Sequence, residues 1–393
     1  MTIPSRQLHV AQIGFFNDPA GRAPSELLES WATLADVAEA AARAGARVSV
    51  VQACAHAAQL QRDGVEYHFL GFGADPANPG MAPLVDLLRT LAPDVLHVHG
   101  LGFHREVASL ATLVPDMPIV LQDHASRPPR LWRRAAWRRA LSFAAGIAFC
   151  AAEQARPFAT AGLLSPHTRV YEIPESTTRF VPGDRQEALR ATGVRGDPAV
   201  LWVGHLDANK DPLTVLDGVS AAARALPELQ LWCCFGVAPL LRLVQDRIAN
   251  DPRLRDRVQL VGRVPHERVE QLMRAADIFV LGSHREGSGY SLIEALGCGL
   301  PPVVTDIPSF RALTGAGAVG SLWPCGDSQA LSRALQALAA RTGASVRAAV
   351  RAHFERELSF AALGTKLVTM YRDVSVRTRP ARGTGLASGA VAR

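Results

Sequence analysis

Two carboxylates, Glu286 and Glu294, bracket a loop in which Gly287, Ser288, Gly289, Tyr290 and Ser291 follow one another. After Ser291 the run Leu292 to Leu296 reads as a helix bounded by Gly297 and Gly299, with Glu294 in its first turn. A helix N-terminus offers unpaired N–H groups and a partial positive charge, and glycines let a ligand approach the main chain, so this turn suits a diphosphate. Glu286 would then face a sugar. Glu294 would accept hydrogen bonds from a ribose diol, because an ionised carboxylate only accepts and two neighbouring hydroxyls both donate. The plainer reading makes Ser291 and Glu294 a capping box that satisfies its own helix end. Residue types alone leave these two readings balanced.

The elements around this loop alternate between strand and helix in both halves of the chain, which predicts an α/β protein with open parallel sheets covered on both faces. In the first half, strands are expected at Leu8 to Phe15, Arg47 to Val51, Val95 to Val98, Ile119 to Leu121 and Gly146 to Cys150, the last two completing the sheet. Helices are expected at Ala23 to Ala44 and Pro83 to Leu91. The second half places strands at Ala199 to Val203, Leu229 to Phe235, Val258 to Val261, Ile278 to Leu281 and Pro302 to Thr305. Pro174 to Pro198, rich in Pro, Gly, Thr and Arg, reads as the linker between halves.

The carboxylate pair with seven residues between its members, continuing Ala295-Leu296-Gly297-Cys298-Gly299-Leu300-Pro301, resembles the signature of retaining GT-B glycosyltransferases of family 4, also called group 1. That resemblance implies two doubly wound Rossmann-like domains facing each other across a cleft, with ligands beyond the carboxyl ends of the strands. It implies that Glu286 contacts the transferred sugar, that amides from Gly287 through Ser291 hold sugar and diphosphate, and that Glu294 holds the ribose. It also implies a cationic pair on the diphosphate. Upstream, Leu201-Trp202-Val203-Gly204 runs into His205 and Lys210, where the family carries Gly-Arg and then a Lys five residues on. Lys210 matches, and among 42 Lys plus Arg only Lys210 and Lys366 are lysines. A compact ammonium kept here suits phosphate. His205 replaces the Arg; an imidazole gains and loses its charge near neutral pH, so weaker or pH-sensitive donor binding is expected.

In the first half the resemblance points to His124 in Asp123-His124 as a cleft histidine hydrogen-bonded to the reacting sugar. It makes Gly21, in the loop after the first strand, a phosphate contact. The implied layout is an acceptor-side domain at 1–178, a nucleotide-sugar domain at 179–352, a helix at 353–375 crossing back onto the first domain and a disordered tail at 376–393. The implied activity is a metal-independent transfer from a nucleotide-diphosphate sugar to a hydroxyl, with no cofactor, in polysaccharide or glycolipid synthesis. A sugar-nucleotide epimerase, a phosphorylase or a non-catalytic nucleotide-sugar subunit shares the fold and is the alternative.

Composition agrees with a two-domain globular protein: 393 residues, 48% hydrophobic and 20% charged. Six cysteines lack zinc or Cys-x-x-Cys spacing and read as buried thiols of a reducing compartment. Met1 to Arg6 lead into a strand without a signal-peptide pattern, and no run approaches a membrane span. A cytoplasmic location is expected. His97 and His99 alternate on a strand, but no third or fourth ligand of metal-site spacing accompanies them. Asp207 and Asp306 also lack the spacing of a divalent-ion motif, and Asp306 is expected to cap the turn after Thr305. Arg127, Arg130, Arg133, Arg134, Arg138 and Arg139, with Trp132 and Trp137, form a basic cluster, four of whose arginines share a helical face. It suits an anionic membrane surface, and equally a solvated face or an anionic acceptor. No nucleic-acid motif accompanies it.

Overall fold

The computed structural model describes residues 7–73, 80–165 and 168–378. Residues 1–6 and 379–393, and with them the expected leaderless start and most of the expected tail, lie outside the described residues.

Continuous apolar runs form the sheet centres. Ile119–Gln122 and Ile278–Leu281 are buried at every position, as strands covered on both faces require. The first sheet contains β1 (His9–Gly14), β2 (Arg47–Ala53), β3 (Ala58–Arg62), β4 (Val65–Leu70), β5 (Val95–His99), β6 (Ile119–Gln122), β7 (Ala144–Phe149) and β8 (Arg169–Glu172), in the order β3-β4-β2-β1-β5-β6-β7-β8. All its pairings are parallel except the β3–β4 hairpin, which turns at Asp63 and Gly64 with both φ angles positive. The sheet does not end at Cys150, as the sequence predicts: the hairpin extends one side, and β8 pairs with β7 on the other. The second sheet contains β9 (Ala199–Val203), β10 (Gln230–Cys234), β11 (Val258–Gly262), β12 (Ile278–Leu281), β13 (Pro302–Thr305) and β14 (Ser321–Trp323), in the all-parallel order β11-β10-β9-β12-β13-β14.

Alternate residues of the first sheet enter opposite cores. Val10, Val48 and Val50 pack on one face, while Ala11, Ile13 and Val51 pack on the other. Among its parallel strands each sheet reverses its strand order once, between β1 and β5 and between β9 and β12. Crevices at such reversals are the usual ligand sites of doubly wound sheets.

Three helical expectations change. The stretch at Ala23 to Ala44 is two helices, Pro24–Ser30 and Ala32–Arg43, interrupted where Trp31 packs its ring 5.7 Å from that of Phe16. The expected linker carries a helix, Arg185–Thr192, whose N-cap Asp184 accepts the Glu187 N–H. The final helix is also two, Ala344–Glu357 and Phe360–Thr378, with Ser359 between them accepting the Ala362 N–H at its hydroxyl. The second of these runs through residues 376–378, which the sequence suggested would begin a disordered tail. Its Leu363, Leu367, Met370 and Tyr371 fill the first domain's core beside Val48 and Tyr67. Five cysteines are buried as expected, and Cys325 is exposed.

Candidate functional site

In the second domain, Lys210 follows β9 and Glu286 follows β12, so both stand at the strand-order reversal. Their loops are laced together: His284 N–H donates to the Asn209 carbonyl at 2.8 Å, and Asn209 Nδ2 donates to the Arg285 carbonyl at 2.9 Å. Gly282 permits this, because a Cβ there would lie 3.0 Å from the Lys210 carbonyl oxygen. The Lys210 backbone N–H is held by Asp207 Oδ1 at 2.9 Å, and its Nζ donates to Glu286 Oε1. Both side chains are largely covered. Charge-assisted contacts of this kind are strong when shielded from water.

The helix Tyr290–Gly297 begins two residues before the expected start at Leu292, because Gly289 takes a left-handed conformation at the N-cap. Glu294 therefore falls in the second turn. Ser291 lies inside the helix, so no Ser291–Glu294 capping box forms; instead Glu294 Oε1 meets His266 Nε2 at 2.6 Å. His266 opens the helix His266–Ala275, and its hydrogen bond to the Glu294 carboxylate raises its pKa against the effect of burial.

The first domain contributes a histidine held from both sides. His124 Nδ1 lies 2.9 Å from Glu175 Oε2, and its Nε2 lies 3.3 Å from His99 Nδ1. Glu175 is buried, accepts the Tyr290 hydroxyl at 3.1 Å on the same oxygen, and leaves Oε1 without a partner. Its backbone N–H donates to Ser288 Oγ at 2.8 Å. A Cβ at Gly287 would lie 1.7 Å from Glu175 Oε1, so the glycine lets this carboxylate press against the loop. Gln154 also crosses the cleft, donating to the Glu286 and Gly287 carbonyls at 2.8 and 3.1 Å. Behind His124, the His97 and His99 rings lie with centroids 4.5 Å apart and planes tilted by 35°, and His97 Nδ1 meets the Tyr371 hydroxyl at 2.7 Å. Burial pushes His97 down to about 3 and His99 well below its usual value. Both rings are neutral at physiological pH. His99, His124 and Glu175 close one end of a cavity of about 440 Å³ whose other walls include Phe16, Trp31 and Phe103.

The profile of the glycosyl transferases group 1 family matches residues 184–351, and that of glycosyltransferase family 4 matches residues 32–174. The chain belongs to glycosyltransferase family 4. Among family relatives, it is 27% identical over 260 residues to a GDP-mannose:cellobiosyl-diphosphopolyprenol alpha-mannosyltransferase of Xanthomonas campestris, covering 64% of this chain and 66% of that one. It is 30% identical over 271 residues to a 2-deoxystreptamine N-acetyl-D-glucosaminyltransferase of Streptomyces fradiae, covering 63% of each. The matches thus span about two thirds of these relatives' lengths. Sucrose-phosphate synthase from Thermosynechococcus elongatus superposes with a TM-score of 0.69 at 19% identity, covering 94% of this chain and all of that one. Anabaena HepE in complex with UDP gives 0.68 at 17%, covering 93% and 100%. The two-domain architecture is the GT-B fold.

Within this family 4 chain, the geometry gathers Lys210, Glu286, Gly287 to Ser291, Glu294 and His124 around one cleft, and it adds Glu175, His266 and Gln154. His205 stands apart: its Nδ1 accepts the Val237 N–H at 3.3 Å, and it lines a shallow recess with Phe235, Gly262 and Arg263. Gly21 lies on the loop whose Phe16, Asp18 and Arg22 line the first-domain cavity, but it is not part of the wall. Asp306 does not cap the following helix and accepts from Arg311 at 2.6 Å. The basic cluster is not one helical face. Leu131–Arg133 is a short 3-10 turn, and the helix proper is Arg134–Leu141. Trp137 is buried and stacks on His104 at 5.4 Å, whereas Leu131 and Trp132 are each 73% exposed.

Proposed function

We propose that the protein is a retaining glycosyltransferase that moves a sugar from a nucleotide-diphosphate donor to an acceptor hydroxyl without a metal ion. The observation that carries this reading is the Lys210–Glu286 contact at the strand reversal, directly before a helix whose N-terminus is opened by Gly289 and whose second turn carries Glu294. Breaking the anomeric C–O bond leaves charge on the diphosphate, which Lys210 and the free amides of that helix start can stabilise. Donor phosphate would draw Lys210 from Glu286 and free that carboxylate to position the sugar. His124 reaches the same place from the other domain, fixed by Glu175 and His99. Glu294 would take the ribose hydroxyls, exchanging its contact with His266 for them. His205 and Gly21 would serve the diphosphate only if their loops move inward. Acceptor attack would come on the face from which the phosphate departs, with closure of the cleft limiting hydrolysis.

The acceptor side is read as lipid-linked or polysaccharide, with an anionic membrane as a peripheral partner. Support comes from Leu131 and Trp132, exposed beside Arg130 and Arg133, with Arg130 5.4 Å over the Trp132 ring. Exposed apolar tips among cations suit a headgroup boundary. No helix among the described residues is long and apolar enough to cross a membrane. The deciding experiment is a thermal-shift series with uridine, guanosine and adenosine diphosphates and their sugars, without added metal, on wild type and Glu294→Ala. Stabilisation of wild type alone names the base and supports the ribose role. No shift with any nucleotide removes the reading.

A further inference from the structure

A second recess, lined by Asp123, opens in the cleft beside the cavity that His124 lines. It measures about 460 Å³ and is shared by the first-domain loop after β6 and the second-domain loop after β12. Arg127 lines it from one domain and Arg285 from the other, and Glu286 also forms part of its wall. Among the described residues, neither guanidinium takes part in a hydrogen bond or an ion pair. Other cleft arginines do: Arg22 pairs with Asp18 at 3.0 Å, and Arg311 with Glu153 at 2.8 Å and Asp306 at 2.6 Å.

The carboxylates at the recess are already engaged. Glu153 is held by Arg311, Glu286 by Lys210, and Asp123 Oδ1 accepts the Ser126 N–H at 3.0 Å. Burial also pushes the Asp123 carboxyl toward its neutral form. Ser309, on the same wall, is buried with its hydroxyl unpartnered. Two cations therefore face one space together with an unused donor. Burial, and then the neighbouring Arg127 charge, lower the pKa of Arg285, and the charges of Asp123 and Glu286 only partly oppose them. Both arginines sit on braced backbone: the Arg285 carbonyl accepts from Asn209, and Arg127 lies between the Asp123–Ser126 turn and Pro128-Pro129. A planar fork held in place matches the two oxygens of a carboxylate or phosphate.

We infer that Arg127 and Arg285 form an anion subsite that takes a carboxylate or phosphate group carried by one of the two reacting sugars. The inference rests on the glycosyl-transfer reading and deepens it: at least one substrate is an acidic sugar or a sugar phosphate. Because Glu286 borders the recess, the anion belongs to a group within reach of the transferred sugar. The donor and the acceptor are both chemically able to supply it.

Equilibrium binding separates the two sources. The donor arm compares UDP-glucose with UDP-glucuronate and GDP-mannose with GDP-mannuronate. The acceptor arm compares methyl glucoside with glucuronate and glucose 1-phosphate, at saturating nucleoside diphosphate. Wild type, Arg127→Gln, Arg285→Gln and the double variant are measured at two salt concentrations. In one arm, wild type is expected to hold the anionic member about 10-fold or more tightly, and each substitution to remove most of that preference while nucleoside diphosphate binding is unchanged. The arm that responds identifies the source. Equal binding of neutral and anionic members in both arms, or a preference that survives in the double variant, overturns the subsite but leaves glycosyl transfer intact. Failure of every nucleoside diphosphate to bind wild type overturns both.

Discussion

Glu175 Oε2 lies 2.9 Å from His124 Nδ1 and 3.1 Å from the Tyr290 hydroxyl, so one buried carboxylate oxygen joins the first domain's cleft histidine to the start of the second domain's helix Tyr290–Gly297. The contact fixes Nδ1 as the donor toward Glu175 and turns Nε2 toward His99. It also makes the orientation of His124 depend on the relative position of the two domains.

Glu175→Gln keeps the volume and removes the charge that orients His124. Turnover is expected to fall about 100-fold, with donor KM changed much less and the pH profile of kcat displaced. Steady-state kinetics over a pH series check this. An unchanged profile would mean that Glu175 only fills space.

The Glu294–His266 pair predicts a pH dependence. Hydrogen bonding to Glu294 raises the folded-state pKa of His266, so the pair's stabilisation is full below the ordinary imidazole value and is lost as pH rises through the raised one. Protonated His266 holds the Glu294 carboxylate, the group proposed to take the ribose hydroxyls. Nucleoside diphosphate affinity should therefore weaken toward acid pH in wild type and vary less in His266→Ala, while Glu294→Ala should lose about 10-fold or more at all pH values. Titration calorimetry between acid and alkaline pH reads both.

Asp36, buried on the helix Ala32–Arg43, has its carboxyl pushed up to about 6 by burial, with Arg179 opposing the shift and Glu39 adding to it. The folded state thus binds the proton more tightly than the unfolded chain. Relative to Asp36→Asn, wild type should lose about 2 to 3 kcal/mol as pH rises from about 4 to about 6 and change little above that. Denaturant melts of the two proteins across that window test the sign.

Tyr371→Phe removes the hydroxyl that meets His97 Nδ1 at 2.7 Å and accepts from Gln12 Nε2 at 3.2 Å. All three groups are buried. Stability should fall by about 1 to 3 kcal/mol, because two buried polar groups lose a partner while the ring keeps its apolar packing. Urea unfolding measures it.

Leu131 and Trp132 replaced by Ser, or Arg130 and Arg133 by Gln, should each reduce sedimentation with anionic vesicles, the arginine pair by roughly 1 kcal/mol per charge near the surface. Trp137→Phe is the control, because that ring is buried against His104. Recovery equal to wild type in both variants would remove the membrane from the reading.

The donor half was legible because its residues act locally. Glu286, Gly289 and Glu294 lie within a few residues of one another, and strand, turn and helix follow from the same short run. Glu175 was not legible: it stands 51 positions from His124, in a Pro- and Thr-rich stretch with no apolar period, and only the meeting of two sheets gives it a role. His266 and Gln154 are hidden for the same reason. The β3–β4 hairpin had a local sign, Asp63-Gly64 beside the alternating burial of Val65–Leu70, that an expectation of parallel strands alone does not use. β8 offered none, since its residues are mostly exposed. Trp137 read as a surface aromatic because its neighbours are arginines, yet it faces inward.

The helix Phe360–Thr378, last among the described residues, supplies Leu363, Leu367, Met370 and Tyr371 to the core of the first domain. A ribosome delivers these pieces far apart in time. The first sheet must wait, with the face of Ala32–Arg43 uncovered, while the whole second domain is synthesised and folds. Domains generally fold as units in order of emergence, and exposed apolar surface invites association. The face of Ala32–Arg43 is therefore open to association until Phe360–Thr378 has been made, and a nascent-chain binder that shields it over that interval would favour the native core.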